Sequence, residues 1–209
     1  AVFSENTMNA ICTAAGKVGA WILADEVYRG AEFSGGTTPS FYGRYECVLC
    51  TAGLSKAYGL PGLRTGWLVG PAEMAEKLWG YHDYTSIGPT MLTDRIASLA
   101  LDPRRHAWLL ERTRRILRQN YPAIREWLGT HRDLFTHVPP RAGVIAWIGF
   151  QNKWNSAAVA EELRAKKGVL LVPGEQFAMP GYLRIGFGEN VEKLQKALRR
   201  LDEWIAERA

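Results

Sequence analysis

A chain of 209 residues is long enough for one large domain or two small ones with a buried core. Its 47% apolar and 22% charged residues are an ordinary globular composition, with no apolar run near the roughly eighteen residues that cross a bilayer. Nothing at the start resembles a signal peptide, and the chain opens on Ala1 in what reads as the middle of a domain, so a longer parent is expected.

In chain order, Ser4 caps a predicted helix running to Lys17, and the continuous apolar run of "WILADE" (21–26) predicts a buried strand. A stretch rich in Gly, Pro and Ser (30–44) separates it from a second strand, "CVLCTA" (47–52), and a third, "TGWLVG" (65–70). Helices are predicted over 71–82, 90–101 and 104–129, with Pro103 breaking the last two apart. Then come a strand at 143–150, a helix at 156–167, strands at 168–173 and 181–187, and a helix at 190–207. The alternation predicts an α/β sandwich with a mostly parallel first sheet, followed by a smaller α+β unit. The boundary is placed near residue 112, giving domains 1–112 and 113–209.

The net charge of +5 raises the question of nucleic acid, and the basic residues concentrate in "DPRRHAWLLERTRRILRQN" (102–120). Leu109, Leu110, Ile116 and Leu117 recur there at helical spacing, and Glu111 stands four residues before Arg115. The segment therefore reads as the solvated face of an amphipathic helix, and no nucleic-acid partner is expected. Cys12, Cys47 and Cys50 are an odd, sparse set pointing to a reducing, cytoplasmic setting. "CVLC" has redox spacing but lies in a strand, without the helix N-terminus that lowers a thiol pKa, so it reads as core. The four histidines show no zinc spacing, and no metal is expected.

The chemistry collects beyond strand ends, where open α/β sheets hold their functional groups. "ADEVY" puts Asp25 and Tyr28 after the first strand, "GLSK" puts Ser55 and Lys56 after the second, and Arg64 introduces the third. A lysine can condense with an aldehyde, a carboxylate can face a pyridinium nitrogen, and a guanidinium with hydroxyls can hold a phosphate. Together these demands describe pyridoxal 5'-phosphate (PLP).

"ADEVYRG" followed by "SKAYGLPGLRTGW" resembles the class I/II aminotransferases of fold type I, and "VPGEQF" (172–177) and "GYLRIGFG" resemble two further segments of that family. The resemblance implies part of the large PLP-binding domain, a mostly parallel sheet with helices on both faces, followed by the small C-terminal domain. It implies that Lys56 is the Schiff-base lysine, that Asp25 pairs with the pyridine nitrogen, and that Tyr28 bonds the cofactor's phenolic oxygen. Arg64 would bind the phosphate, with Ser55 a weaker contributor, and Arg184 would clamp the substrate α-carboxylate. An amino acid and a 2-oxo acid are the implied substrates, in a homodimer without nucleic-acid or membrane partners.

Two departures stand out. Where many relatives carry a phosphate-touching serine three residues before the lysine, this chain has Gly53. The opening "AVFSENTM" resembles the segment just after the family's Asn-Pro-x-Gly turn, so the chain reads as the C-terminal half of a subunit, expected to be inactive by itself. The same residues also support lyase, cyclase or oxidase outcomes, and "YHDYTSIGPTMLTD" (81–94) hints at arginine-derived substrates. A ligand-sensing domain of a transcription regulator is the alternative of a different class.

Overall fold

The structure, a computed structural model, describes residues 2–208. The chain divides into two compact units, Ala1–Arg114 and Arg115–Ala209.

In the first unit, helix α1 (Glu5–Val18) starts where the Thr7 amide donates to the Ser4 hydroxyl at 3.2 Å, with Glu5 complementing the positive end of the helix. Three strands follow: β1 (Ile22–Asp25), β2 (Val48–Gly53) and β3 (Gly66–Val69), in spatial order β1-β2-β3. β1 and β2 run parallel, with Ile22 opposite Val48 and Asp25 opposite Thr51. β3 runs antiparallel to β2, with Gly53 opposite Gly66, so only one of these two pairings is parallel. The short segment between β2 and β3 holds only a single helical turn, Pro61–Leu63, and turns the chain back instead of carrying it across the sheet.

Side chains alternate across these strands. Ala24, Val48 and Cys50 face Met8 and Cys12 of α1 in a core that also holds Phe41, with Ile22 packed against it. Burying a side chain such as Met8 contributes about 1.5–3 kcal/mol. Leu23, Asp25, Leu49, Thr51 and Leu68 fall on the opposite face by register. Helices α2 (Ala72–His82) and α3 (Met91–Ala100) precede α4 (Pro103–Thr130). Asp102 caps α4, accepting from the amides of Arg104 and Arg105, while Pro103 fills a first-turn position that needs no N–H donor.

The second unit begins within α4. It holds β4 (Phe135–His137), β5 (Ile145–Phe150), helix α5 (Ser156–Glu162), β6 (Val172–Pro173), β7 (Tyr182–Gly186) and helix α6 (Val191–Ala206). Its sheet is antiparallel throughout, in order β4-β5-β7-β6. The three-residue β4 was not expected from the sequence. The strand expected over 168–173 contracts to two residues, and the end of the helix expected to Lys167 widens into one π turn, Leu163–Lys167. On β5 and β7, Ala146, Ile148, Leu183 and Ile185 are buried, as are Leu194, Leu198, Leu201 and Trp204 along α6. Trp204 meets Trp154 edge-on at 5.0 Å and donates from Nε1 to Glu162 at 3.0 Å. Buried Asn120 donates from Nδ2 to the carbonyls of Phe187 (2.7 Å) and Glu189 (2.6 Å), securing the chain after β7 to α4.

Candidate active site

Asp25 is the last residue of β1, exposed, with Oδ1 accepting from the Val27 amide at 3.2 Å. This local bond turns the chain out of the strand. Half-buried Tyr28 follows, its carbonyl accepting from the Ala31 amide at 3.0 Å. The turn is then tied down by Glu32, only 3% exposed. Glu32 Oε1 accepts from the Gly30 and Thr38 amides and the Thr38 hydroxyl, and Oε2 pairs with Arg114 at 3.1 Å. Arg114 also donates from Nε to the Gly30 carbonyl at 2.9 Å and from Nη2 to the Thr37 hydroxyl at 3.0 Å. Burial raises the Glu32 pKa, but the bonds from Thr38 and Gly30 outweigh it and hold the carboxyl below its ordinary range.

β2 ends at Gly53 and opens into the segment carrying Ser55 (half-buried) and Lys56 (exposed). The Gly59 amide bonds the Lys56 carbonyl at 3.0 Å, and the Leu60 amide bonds the Leu54 carbonyl at 2.9 Å, so Lys56 projects from a closed turn. The Ala57 amide donates to the Val27 carbonyl at 3.2 Å. That bond joins the Tyr28 segment to the Lys56 turn. Arg64 is exposed and left-handed (φ 50), with Nη1 on the Pro61 carbonyl at 3.0 Å. Its neighbour Thr65 accepts the Leu54 amide at 3.1 Å. Asp25, Tyr28, Ser55, Lys56 and Arg64 thus stand on cross-bonded segments at one end of the sheet. Gly53 has a packing reason: a Cβ there would stand 3.1 Å from the Thr65 carbonyl oxygen and 3.2 Å from Gly66 Cα.

Arg184 lies in the second unit, half-buried on β7, opposite Trp147 of β5 on one side and Val172 of β6 on the other. Its guanidinium stands 6.0 Å from the Phe177 ring, which meets Trp147 at 5.1 Å and 87°. The "VPGEQF" loop bearing Phe177 is fixed through Glu175, which accepts from the fully buried Ser156 hydroxyl at 2.7 Å. The result is a guanidinium set among aromatic rings, a surface suited to a carboxylate.

The 102–120 helix departs in part from its reading as a solvated face. Arg104, Arg105 and Arg115 are exposed, but Arg112 and Arg114 are half-buried and grip loops of the first unit. Together with Glu32, they are site-shaping residues the sequence reading missed. Cys50 is buried, and burial pushes its thiol pKa up, consistent with a core residue and not a redox thiol. A cavity of about 270 Å³, lined by Glu26, Arg29, Ser40, Cys50, Tyr58 and Trp67 among others, opens on the Cys50 face of the sheet, opposite to Asp25. It is not the place where the candidate residues gather. No helix among the described residues is long and apolar enough to cross a membrane.

An amine, a carboxylate, a phenol, a guanidinium and a hydroxyl at one sheet end form a donor set that fits PLP. Comparison with known proteins agrees. The family model for aminotransferase class I and II matches residues 1–201. Capreomycidine synthase of Streptomyces vinaceus is 34% identical over 163 residues, 78% of this chain and 41% of that protein. Aromatic-amino-acid aminotransferase 2 of Thermococcus litoralis is 26% identical over 214 residues, 100% of this chain and 54% of that protein. Among solved structures, a PLP-dependent aminotransferase from Streptococcus suis superposes with a TM-score of 0.91 at 33% identity, covering 99% of this chain and 54% of that one. The chain therefore spans about half the length of the relatives it matches. By the extent of the family match and the coincidence of folds, this chain belongs to the class I and II aminotransferases, PLP-dependent enzymes of fold type I.

Proposed function

We propose that the complete protein containing this chain transfers the amino group of an amino acid to a 2-oxo acid, holding PLP on Lys56, Asp25, Tyr28 and Arg64. The observation that carries this reading is the Ala57-to-Val27 bond, which brings the Lys56 turn and the Tyr28 segment to one place. PLP bound there supplies an electron-withdrawing ring that accepts the electron pair left when Cα loses its proton. The Lys56 amine takes that proton from Cα and returns it to the neighbouring carbon. Asp25 keeps the ring nitrogen protonated, Tyr28 donates to the phenolic oxygen, and Arg64 binds the phosphate with Ser55 assisting. Arg184 would bind the substrate α-carboxylate. The enzyme works as a homodimer in a reducing, cytoplasmic setting, in keeping with its free thiols.

Borohydride reduction in the presence of PLP, followed by peptide mapping, is expected to place the pyridoxyl group on Lys56, and Lys56→Ala to abolish turnover. A label on another lysine refutes the site. Arg184→Ala is expected to raise KM for the amino acid far more than it weakens PLP binding, because it removes a charge-assisted contact to the carboxylate. The second reading is a lyase, cyclase or oxidase outcome on the same residues. Its support is the 34% identity to capreomycidine synthase. Product analysis with labelled amino acids separates the two.

A further inference from the structure

We propose that Arg112 of α4 is a positioning residue that holds the Lys56 turn in its working conformation. The inference rests on Lys56 being the lysine that holds PLP. Arg112 Nη2 donates to the Tyr58 carbonyl at 2.7 Å and lies 3.4 Å from the Gly59 carbonyl, two and three residues beyond the lysine. Contact with the turn is close: Gly59 is left-handed (φ 62), and a Cβ there would stand 2.6 Å from Nη2. A guanidinium and a backbone without a side chain are fitted to each other at that point.

Four further contacts make this grip directional. The Tyr58 ring is buried and meets Trp67 of β3 at 6.2 Å and His106 of α4 at 5.5 Å, so the carbonyls that Arg112 holds cannot rotate freely. Trp108, one helical turn before Arg112, has its ring 5.7 Å from the guanidinium carbon and limits the arginine from behind. On the far side of the turn, the Ala57 amide is already engaged by the Val27 carbonyl. Lys56 is thus carried on a turn held from α4 on one side and from the β1 segment on the other. Stability alone accounts poorly for this arrangement. Arg112 Nε is buried without a hydrogen-bond partner among the described residues, a cost that an apolar side chain at this position would avoid.

A base that moves a proton at Cα has to keep its nitrogen within hydrogen-bond reach, and a displacement of about 1 Å can cost roughly a hundredfold in rate. Arg112 reaches Lys56 only through the backbone, so its effect falls on the proton-moving step and not on recognition of the amino acid.

The test uses the complete protein with PLP. Pyridoxyl mapping of the wild type comes first: a label away from Lys56 overturns the reading of the lysine and this inference with it. With Lys56 labelled, Arg112→Ala is expected to lower kcat roughly tenfold to a hundredfold with KM nearly unchanged. Amide exchange should quicken at residues 57, 59 and 60 while the β2 amides stay protected, and added guanidinium ion should restore part of kcat. Wild-type kcat and exchange in Arg112→Ala overturn the proposal, as does faster exchange throughout the first unit with no rescue by guanidinium. Should the alanine variant fail to fold, Arg112→Lys keeps one donor near the carbonyls. It is expected to show an intermediate kcat with the same local exchange signature, and wild-type values for both overturn the proposal.

Discussion

The sheets of the two units each have one buried face and one more open face, and the open faces differ in chemistry. In the first unit, Leu23 is 69% exposed and Leu68 is 40% exposed on the face turned away from α1. In the second, the corresponding face of β5 and β7 carries Trp147, Tyr182 and Arg184, while Ile148 and Leu183 are buried beneath. An aliphatic face in water favours being covered by more protein. A guanidinium among aromatic rings favours a small anion. The two open faces therefore differ in chemistry: exposed leucines beside Asp25 and Thr51 on the first sheet, and aromatic rings around Arg184, the residue proposed to take a carboxylate, on the second.

Four measurements can break or sharpen this contrast. Trp204→Ala removes the largest fully buried side chain of the second unit and is expected to cost about 3–5 kcal/mol in denaturant unfolding. A much smaller loss would mean that Trp204 is not packed against Trp154 and α6's neighbours as the structure has it. Asn120→Ala leaves the Phe187 and Glu189 carbonyls without their shared donor, and a loss of about 1–3 kcal/mol is expected.

The third measurement is a pH scan of wild type against Glu32→Gln. The folded Glu32 carboxyl titrates below 4.5, its unfolded value, so the unfolded chain takes up the proton first as pH falls. Its stabilisation is fully present above pH 4.5 and is lost as pH drops through the folded value. The stability gap between wild type and Glu32→Gln should accordingly narrow in acid, and a gap independent of pH would remove the Thr38 and Gly30 bonds to the Glu32 carboxylate from the account. Smallest is Leu23→Thr on the open face of the first sheet, expected within about 0.5 kcal/mol of wild type and less prone to self-association by light scattering. A loss above about 1 kcal/mol would show that Leu23 is covered in solution.

The sequence disclosed those parts of the fold that rest on local pattern. Continuous apolar runs marked β1 and β2, Pro103 marked the break before α4, and the helix read over 190–207 is α6. β4 was too short, at three residues, to show an alternation. The 168–173 run looked like a full strand, yet Leu170 is exposed and only Val172 and Pro173 reach the ladder, where proline has no N–H to give. At the candidate site, the roles proposed for Asp25, Tyr28, Lys56 and Arg64 come from the chemistry their side chains carry. What was not legible is how they are held. The Val27–Ala57 bond involves backbone groups alone, and Arg112 reaches a carbonyl 54 residues away, so no nearby pattern announces either. A charge on a helix is read by periodicity as solvated, and Arg112 and Arg114 are the exceptions that only long-range contact reveals.

Arg64 sits at a backbone conformation that glycine or asparagine would occupy more cheaply, since a left-handed residue with an ordinary side chain costs about 1 kcal/mol or more. Two selections applied to a library at this position should therefore pull apart. Sorting for protease resistance is expected to enrich glycine and asparagine, while sorting for retained PLP is expected to return arginine. Thermostabilisation by consensus or survival would then erode the phosphate contact proposed for Arg64 without any warning from the folding assay, and position 64 should be held fixed in any such campaign.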